Sequence, residues 1–117
     1  MKKLTTKELK EMAECENVFR DINLSGFDFT GFDFTGFEFH NVVFSGTIFT
    51  DSNFTNTKFI NSNFLNAKFI NSNFLNTQLP SSPTIRKCEF HMCIFHNCNL
   101  HECDIYKCDI YKCEFIS

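Results

Sequence analysis

The sequence predicts an all-β solenoid of short strands, closed at its N-terminal end by a short α-helix. Three observations predict it. A large apolar residue, here called a centre, recurs at every fifth position from Leu24 to Leu79 and resumes from Ile85 to Phe115. The residue two places before each centre is small through the middle of the chain: Thr47, Ser52, Thr57, Ser62, Ala67, Ser72 and Thr77. The residue two places after each centre, from Gly26 to Asn76, is Gly, Asn or Asp, the types that best tolerate a left-handed backbone. A period of five matches neither a helix nor a continuous strand. Short extended pieces alternating with turns satisfy it, with one large and one small side chain per unit filling a narrow tube.

Residues 1–18 stand outside the period and read as a capping helix and its lead-in, with the repeat occupying 19–117. Thr5 and Glu8 form a capping-box pattern, and Leu9, Met12 and Ala13 follow at helical spacing. This predicts a helix from about Thr6 to Glu16. Its apolar face is too small for stability alone in water, so it is expected to lie on the open end of the solenoid.

In the first turn of the repeat Phe27, Phe32 and Phe37 occupy the small position, which predicts a wider or distorted coil. Pro80–Thr84 carries a one-residue insertion, with Pro80 and Pro83 marking a bulged turn. Beyond it the small position is cysteine six times in succession, from Cys88 to Cys113. The turn position there reads Lys87, Met92, Asn97, Glu102, Lys107 and Lys112, which predicts a different turn type.

The pattern small–Asn/Asp–Leu/Phe–x–x, repeated about nineteen times between Ile22 and Phe115, resembles the pentapeptide-repeat family. The resemblance implies a right-handed, four-sided (quadrilateral) parallel β-helix with four pentapeptides per coil, hence about five coils here. Residues twenty apart then stack. Glu38 falls over Lys58, and Lys68 over Glu89, as opposite-charge exposed pairs worth about 0–1 kcal/mol each.

Composition bounds the function. The formal charge of -3 argues against direct nucleic-acid binding, which calls for a basic surface. No apolar run approaches a membrane span. The start, MKKLTTKELKEM, lacks the apolar core of a secretory signal, so a cytoplasmic location and free thiols are expected for a chain with seven cysteines. Cys88-x-x-His91, Cys93-x-x-His96 and Cys98-x-x-His101 have zinc-like spacing. Their cysteines take the inward position and their histidines the outward one, so the ligands diverge and neither a metal nor another cofactor is expected. There is no catalytic triad, phosphate-cradling loop or paired-carboxylate cleft, and a filled tube offers no pocket. The reading is non-enzymatic.

The outward position after each centre carries the functional signal. It is Ser or Thr at residues 25, 30, 35, 45, 50 and 55, then turns apolar and aromatic. Stacking aligns Ile70–His91–Tyr111 on one face and Leu65–Arg86–Tyr106 on the adjoining one, with Leu75 and His96 beside them. Such grouping is typical of interface cores. The C-terminal coil ends without a cap, so an end-to-end homodimer is expected through Ile110, Phe115 and Ile116. The leading expectation is a protein-interaction scaffold with a protein partner on this outer column. The family resemblance supplies an alternative, a DNA mimic that binds DNA gyrase, and the Cys/His stretch a minor one, metal binding.

Overall fold

Strand pairing fixes the coil length at twenty residues. Phe39 pairs with Phe59 and Phe49 with Phe69, both offset by twenty. Phe69 pairs with Phe90 and Phe74 with Phe95, offset by twenty-one, after which Phe95 with Phe115 returns to twenty. A single extra residue between Phe74 and Phe90 therefore enters without breaking the stack. The computed structural model describes residues 2–79, 85, 87–98 and 109–116. The predicted insertion at Pro80–Thr84 lies outside the described residues.

In chain order the elements are β1 (Lys2–Lys3), α1 (Thr6–Cys15), β2 (Val18–Arg20), β3 (Ile22–Asn23), β4 (Glu38–His40), β5 (Ile48–Thr50) and β6 (Lys58–Ile60). There follow β7 (Lys68–Ile70), β8 (Asn73–Leu75), β9 (Glu89–His91), β10 (Ile94–His96), β11 (Asp109–Tyr111) and β12 (Glu114–Ile116). They stack in parallel on the four faces of a right-handed β-helix. The first face holds β2, β4 and β6, and the second β1 and β3, continued by bridges at Val43 and Asn63. The third holds β5, β7, β9 and β11, and the fourth β8, β10 and β12, preceded by bridges at Asp33 and Asn53. Followed from Asp33 through Asn53, Asn73 and Ile94 to Glu114, the register steps from coil to coil four times. The described residues thus make about four turns, not the five coils expected. Counting centres in fours counts stacked levels, and five levels enclose only four full turns.

The helix forms where the capping box places it. The Thr5 hydroxyl accepts from the Glu8 N–H at 3.1 Å, and the Glu8 carboxylate accepts from the Thr5 N–H at 3.0 Å. It ends one residue short of the expected Glu16, whose N–H donates to the Met12 carbonyl. Leu9 is buried in the same cluster as the phenylalanine core, and Met12 and Ala13 pack against it. Lys2 pairs with Ile22, so the twenty-residue offset already holds before the first full coil and α1 takes the place of most of one coil.

Inside, the phenylalanines stack into ladders. Phe34, Phe54, Phe74, Phe95 and Phe115 follow one another at centroid spacings of 5.4, 5.0, 4.7 and 5.0 Å, with near-parallel rings. Rings of neighbouring ladders meet edge-on, as Phe59 meets Phe64 at 4.9 Å and 77°. Both arrangements suit the aromatic quadrupole. The small inward residues have a second duty. Ser52 and Thr57 donate to the Phe29 and Phe34 carbonyls of the coil above at 2.7 and 2.6 Å. Past the break the cysteines do the same: Cys88 to Phe64, Cys93 to Phe69, Cys98 to Phe74 and Cys113 to Phe90. Here cysteine is a small apolar residue that keeps a donor.

Two expectations need correction. The first coil is not distorted, since Asp28 still pairs with Ile48 and Asp33 with Asn53. Phe27 and Phe32 stack on Phe29 and Phe34 of their own coil, and Phe37 reaches Phe19. With no full coil above them, these positions have no interior to overfill. Nor do the turns change type after the break, among the described residues. Lys87, Met92 and Lys112 hold φ of 53°, 55° and 51°, in the same left-handed region as Asn56 at 57°. The coil geometry overrides side-chain preference. The strain is local and removable: Lys87→Asn is expected to raise stability by about 0.5–1 kcal/mol, read from the urea midpoint.

Candidate interaction surface

Outward side chains line up because each coil repeats the last. Ile70 pairs with His91 and His91 with Tyr111 on the third face, and Leu75 with His96 and His96 with Ile116 on the fourth. Ile70 and Leu75 are half-buried, as are Leu65 and His91, whereas His96 is exposed. The His91 and Tyr111 rings lie 5.8 Å apart, and the Lys112 ammonium sits 5.3 Å from the Tyr111 ring centroid. Arg86 and Tyr106, expected in the adjoining column with Leu65, lie outside the described residues.

The structure adds residues that the outward-position argument missed. Met92 occupies the corner between the third and fourth faces and is 52 % exposed, and Ile94 begins the fourth-face strand at 40 %. His91, Met92, Tyr111 and Lys112 together line a shallow depression of about 260 Å³. The signal for Met92 is in the sequence, a thioether at the turn position that holds Gly, Asn or Asp from Gly26 to Asn76, but there it bears on turn type rather than on exposure. Ile94 likewise stands under Asn73, Asn53 and Asp33, an apolar residue in an otherwise polar column.

The surroundings are polar and locally neutralised. Lys68 and Glu89, the predicted stacked pair, lie 3.5 Å apart and exposed on the third face. Glu38 does neighbour Lys58 in register, but its carboxylate turns instead to the His40 ring nitrogen at 3.1 Å. His40 is two residues along the same strand and shares its face, so it competes with the coil below. In the early coils Asp28 and Asp33 accept from the hydroxyls of Thr30 and Thr35 at 2.5 Å, forming an ordinary solvated surface. Among the described residues no three His, Cys, Asp or Glu side chains converge as metal ligands. Cys88, Cys93, Cys98 and Cys113 point into the tube and His91 and His96 away from it. No helix among those residues is long and apolar enough to cross a membrane.

A family model for pentapeptide repeats matches residues 18–56 and 47–82, in eight copies. The chain belongs to the pentapeptide-repeat family. Among solved structures it is similar to HetL, a pentapeptide repeat protein involved in heterocyst differentiation regulation from the cyanobacterium Nostoc sp. strain PCC 7120. The TM-score is 0.61 with 16% identity, covering 83% of this chain and 47% of HetL. This chain thus spans about half the length of HetL, and at that identity the likeness is one of fold. It is also similar to Rfr23 from the cyanobacterium Cyanothece 51142, with TM-score 0.40, 13% identity and 95% of both chains covered. A third similar structure is trypsin-treated QnrB1, a plasmid-mediated fluoroquinolone resistance protein, with TM-score 0.32, 16% identity, and 80% of this chain and 62% of that one covered. No curated protein matches the chain.

Proposed function

We propose that this pentapeptide-repeat protein is a non-enzymatic scaffold that binds a protein partner on the corner between its third and fourth faces. One observation carries the reading. Met92, Ile94, Tyr111 and Ile116 are each between 40 % and 52 % exposed. They adjoin half-buried Ile70, Leu75 and His91, on a tube whose position after the centre is Ser or Thr at residues 25, 30, 35, 45, 50 and 55. Isolated exposed apolar residues are ordinary, but a contiguous group with Met and aromatic rings marks an interface. A regular, rigid surface also binds without much ordering cost.

The test is affinity capture with the wild-type chain and with a variant carrying Ile70→Asp and Tyr111→Ser. A protein that binds the first and not the second, with both chains folded, supports the corner as the binding site. The DNA-mimic reading makes the opposite demand. Gyrase captured equally by both chains and released by high salt would favour it, since an acidic steering surface acts through screened charge.

The C-terminal end supports a second contact, a homodimer. Ile110 and Phe115 are inward-facing centres, yet they are 44 % and 54 % exposed, and Ile116 is 46 % exposed. Phe115 stacks on Phe95 with one ring face only. End-to-end pairing of two such coils would cover these side chains and the open strand edges together. Light scattering at high micromolar concentration is expected to show a dimer that Phe115→Asp returns to monomer. A wild-type monomer under those conditions would exclude the contact.

A further inference from the structure

The cysteine positions do more than fill the tube at one place, where two thiols stack across the last two coils. Pairing of Ile94 with Glu114 sets Cys93 directly beside Cys113, and the Glu114 N–H donates to the Cys93 carbonyl at 2.9 Å. Both side chains point inward, Cys93 to the Phe69 carbonyl at 3.2 Å and Cys113 to the Phe90 carbonyl at 3.1 Å. Stacked strands lie about 4.8 Å apart, within the Cα separation that a disulfide spans. Among the described residues this is the one stacked pair of cysteines, since Cys88 lies under Ala67 and Cys98 under Thr77.

The two thiols differ in access. Cys93 is fully buried, whereas Cys113 is only partly so, in a coil whose centres Ile110 and Phe115 are uncovered. Directly stacked Cβ atoms must approach to about 3.8 Å for an S–S bond, so one coil has to shift towards the other. The coil of Cys113, whose Ile110 and Phe115 are exposed, packs against the Cys93 coil and has room to make that shift. We infer that Cys93 and Cys113 form a redox-active dithiol that closes to a disulfide and staples the terminal coil to the one before it.

A low-molecular-weight disulfide such as glutathione disulfide serves as the oxidant. The Cys113 thiolate attacks one of its sulfurs, forming a mixed disulfide and releasing a glutathione thiolate, which takes up the proton from Cys113. The Cys93 sulfur then attacks the Cys113 sulfur, forming the internal bond and releasing the second glutathione, which takes up the proton from Cys93. The protein loses two electrons and two protons, and the oxidant becomes two thiols. The order follows from access and from acidity, because burial, and then the adjacent Cys113, push the Cys93 thiol up to about 12. Closure fixes β11 and β12, which carry Tyr111 and Ile116. The inference stands whether or not the corner binds a partner.

The test equilibrates the purified chain with glutathione and glutathione disulfide mixtures, quenches in acid, alkylates and maps the peptides by mass spectrometry. A Cys93–Cys113 linked peptide is expected, with hydrogen exchange over residues 109–116 slowed about tenfold or more on oxidation. Cys113→Ser and Cys93→Ser each keep a donor for the same carbonyl, and should fold while losing both signals. Glutathione adducts without an internal link, linkage of Cys93 to another cysteine, or slowing that persists in both serine variants would overturn the inference.

Discussion

Phe64→Ala is expected to lower the stability of the folded chain by about 3–5 kcal/mol. The Phe64 ring is 1 % exposed and lies 4.9 Å from Phe44 face to face and 4.9 Å from Phe59 edge-on. Its removal leaves a void between two ladders. The coil backbone cannot collapse into it, because hydrogen bonds join Phe44 to the Asn63 carbonyl and Asn63 to the Val42 carbonyl around the site. Urea unfolding followed by circular dichroism measures the loss. Phe115→Ala removes the same atoms from a ring that is 54 % exposed, so it is expected to cost less than half as much. Equal losses at the two positions would contradict a core that tightens inward from its ends.

Ser52→Phe is expected to cost about 2–4 kcal/mol, combining overpacking with a lost hydrogen bond to the Phe29 carbonyl. The comparison is internal to the chain, since phenylalanine already stands at Phe32, one coil above Ser52. There it is half-buried and rests on Phe34 at 5.3 Å. Position 52 has coils on both sides, and a ring would displace the neighbouring ladders. Ser52→Ala is expected to cost only about 1 kcal/mol, the hydrogen bond alone. If Ser52→Phe unfolds no earlier than Ser52→Ala, the inward position is not closed as described.

The repeat made most of the fold legible. A fifth-residue centre with a small inward partner specifies the tube, and the eleven Gly, Asn and Asp corners from Gly26 to Asn76 all take positive φ. Thr5 and Glu8 likewise placed the helix within one residue. What failed was inference from one residue's local preference. Lys87, Met92 and Lys112 read as different turns, yet they take the same left-handed backbone as the Asn corners, because the stacked register repeats from coil to coil. Phe27, Phe32 and Phe37 looked disruptive, but their cost depends on having a coil above, which a pentapeptide pattern does not reveal. The outer columns were readable from the stacking period. The exposure of Met92 and Ile94 was not, because at corner and strand-entry positions it depends on the final packing. Binding on that surface is a matter of chemistry across an interface, about which a one-chain sequence carries only composition.

The most direct test of the interaction surface places a photo-crosslinking residue at Met92 and, in a separate chain, at Thr35. Thr35 is exposed on the fourth face but three coils away, beside Asp33 rather than Ile94. Both chains are expressed in the cell of origin and irradiated. The account predicts one prominent protein adduct from position 92, absent from position 35 and lost when Ile70→Asp is added. The same adduct from both positions, or from position 35 alone, would contradict a partner seated on the Met92–Tyr111 corner.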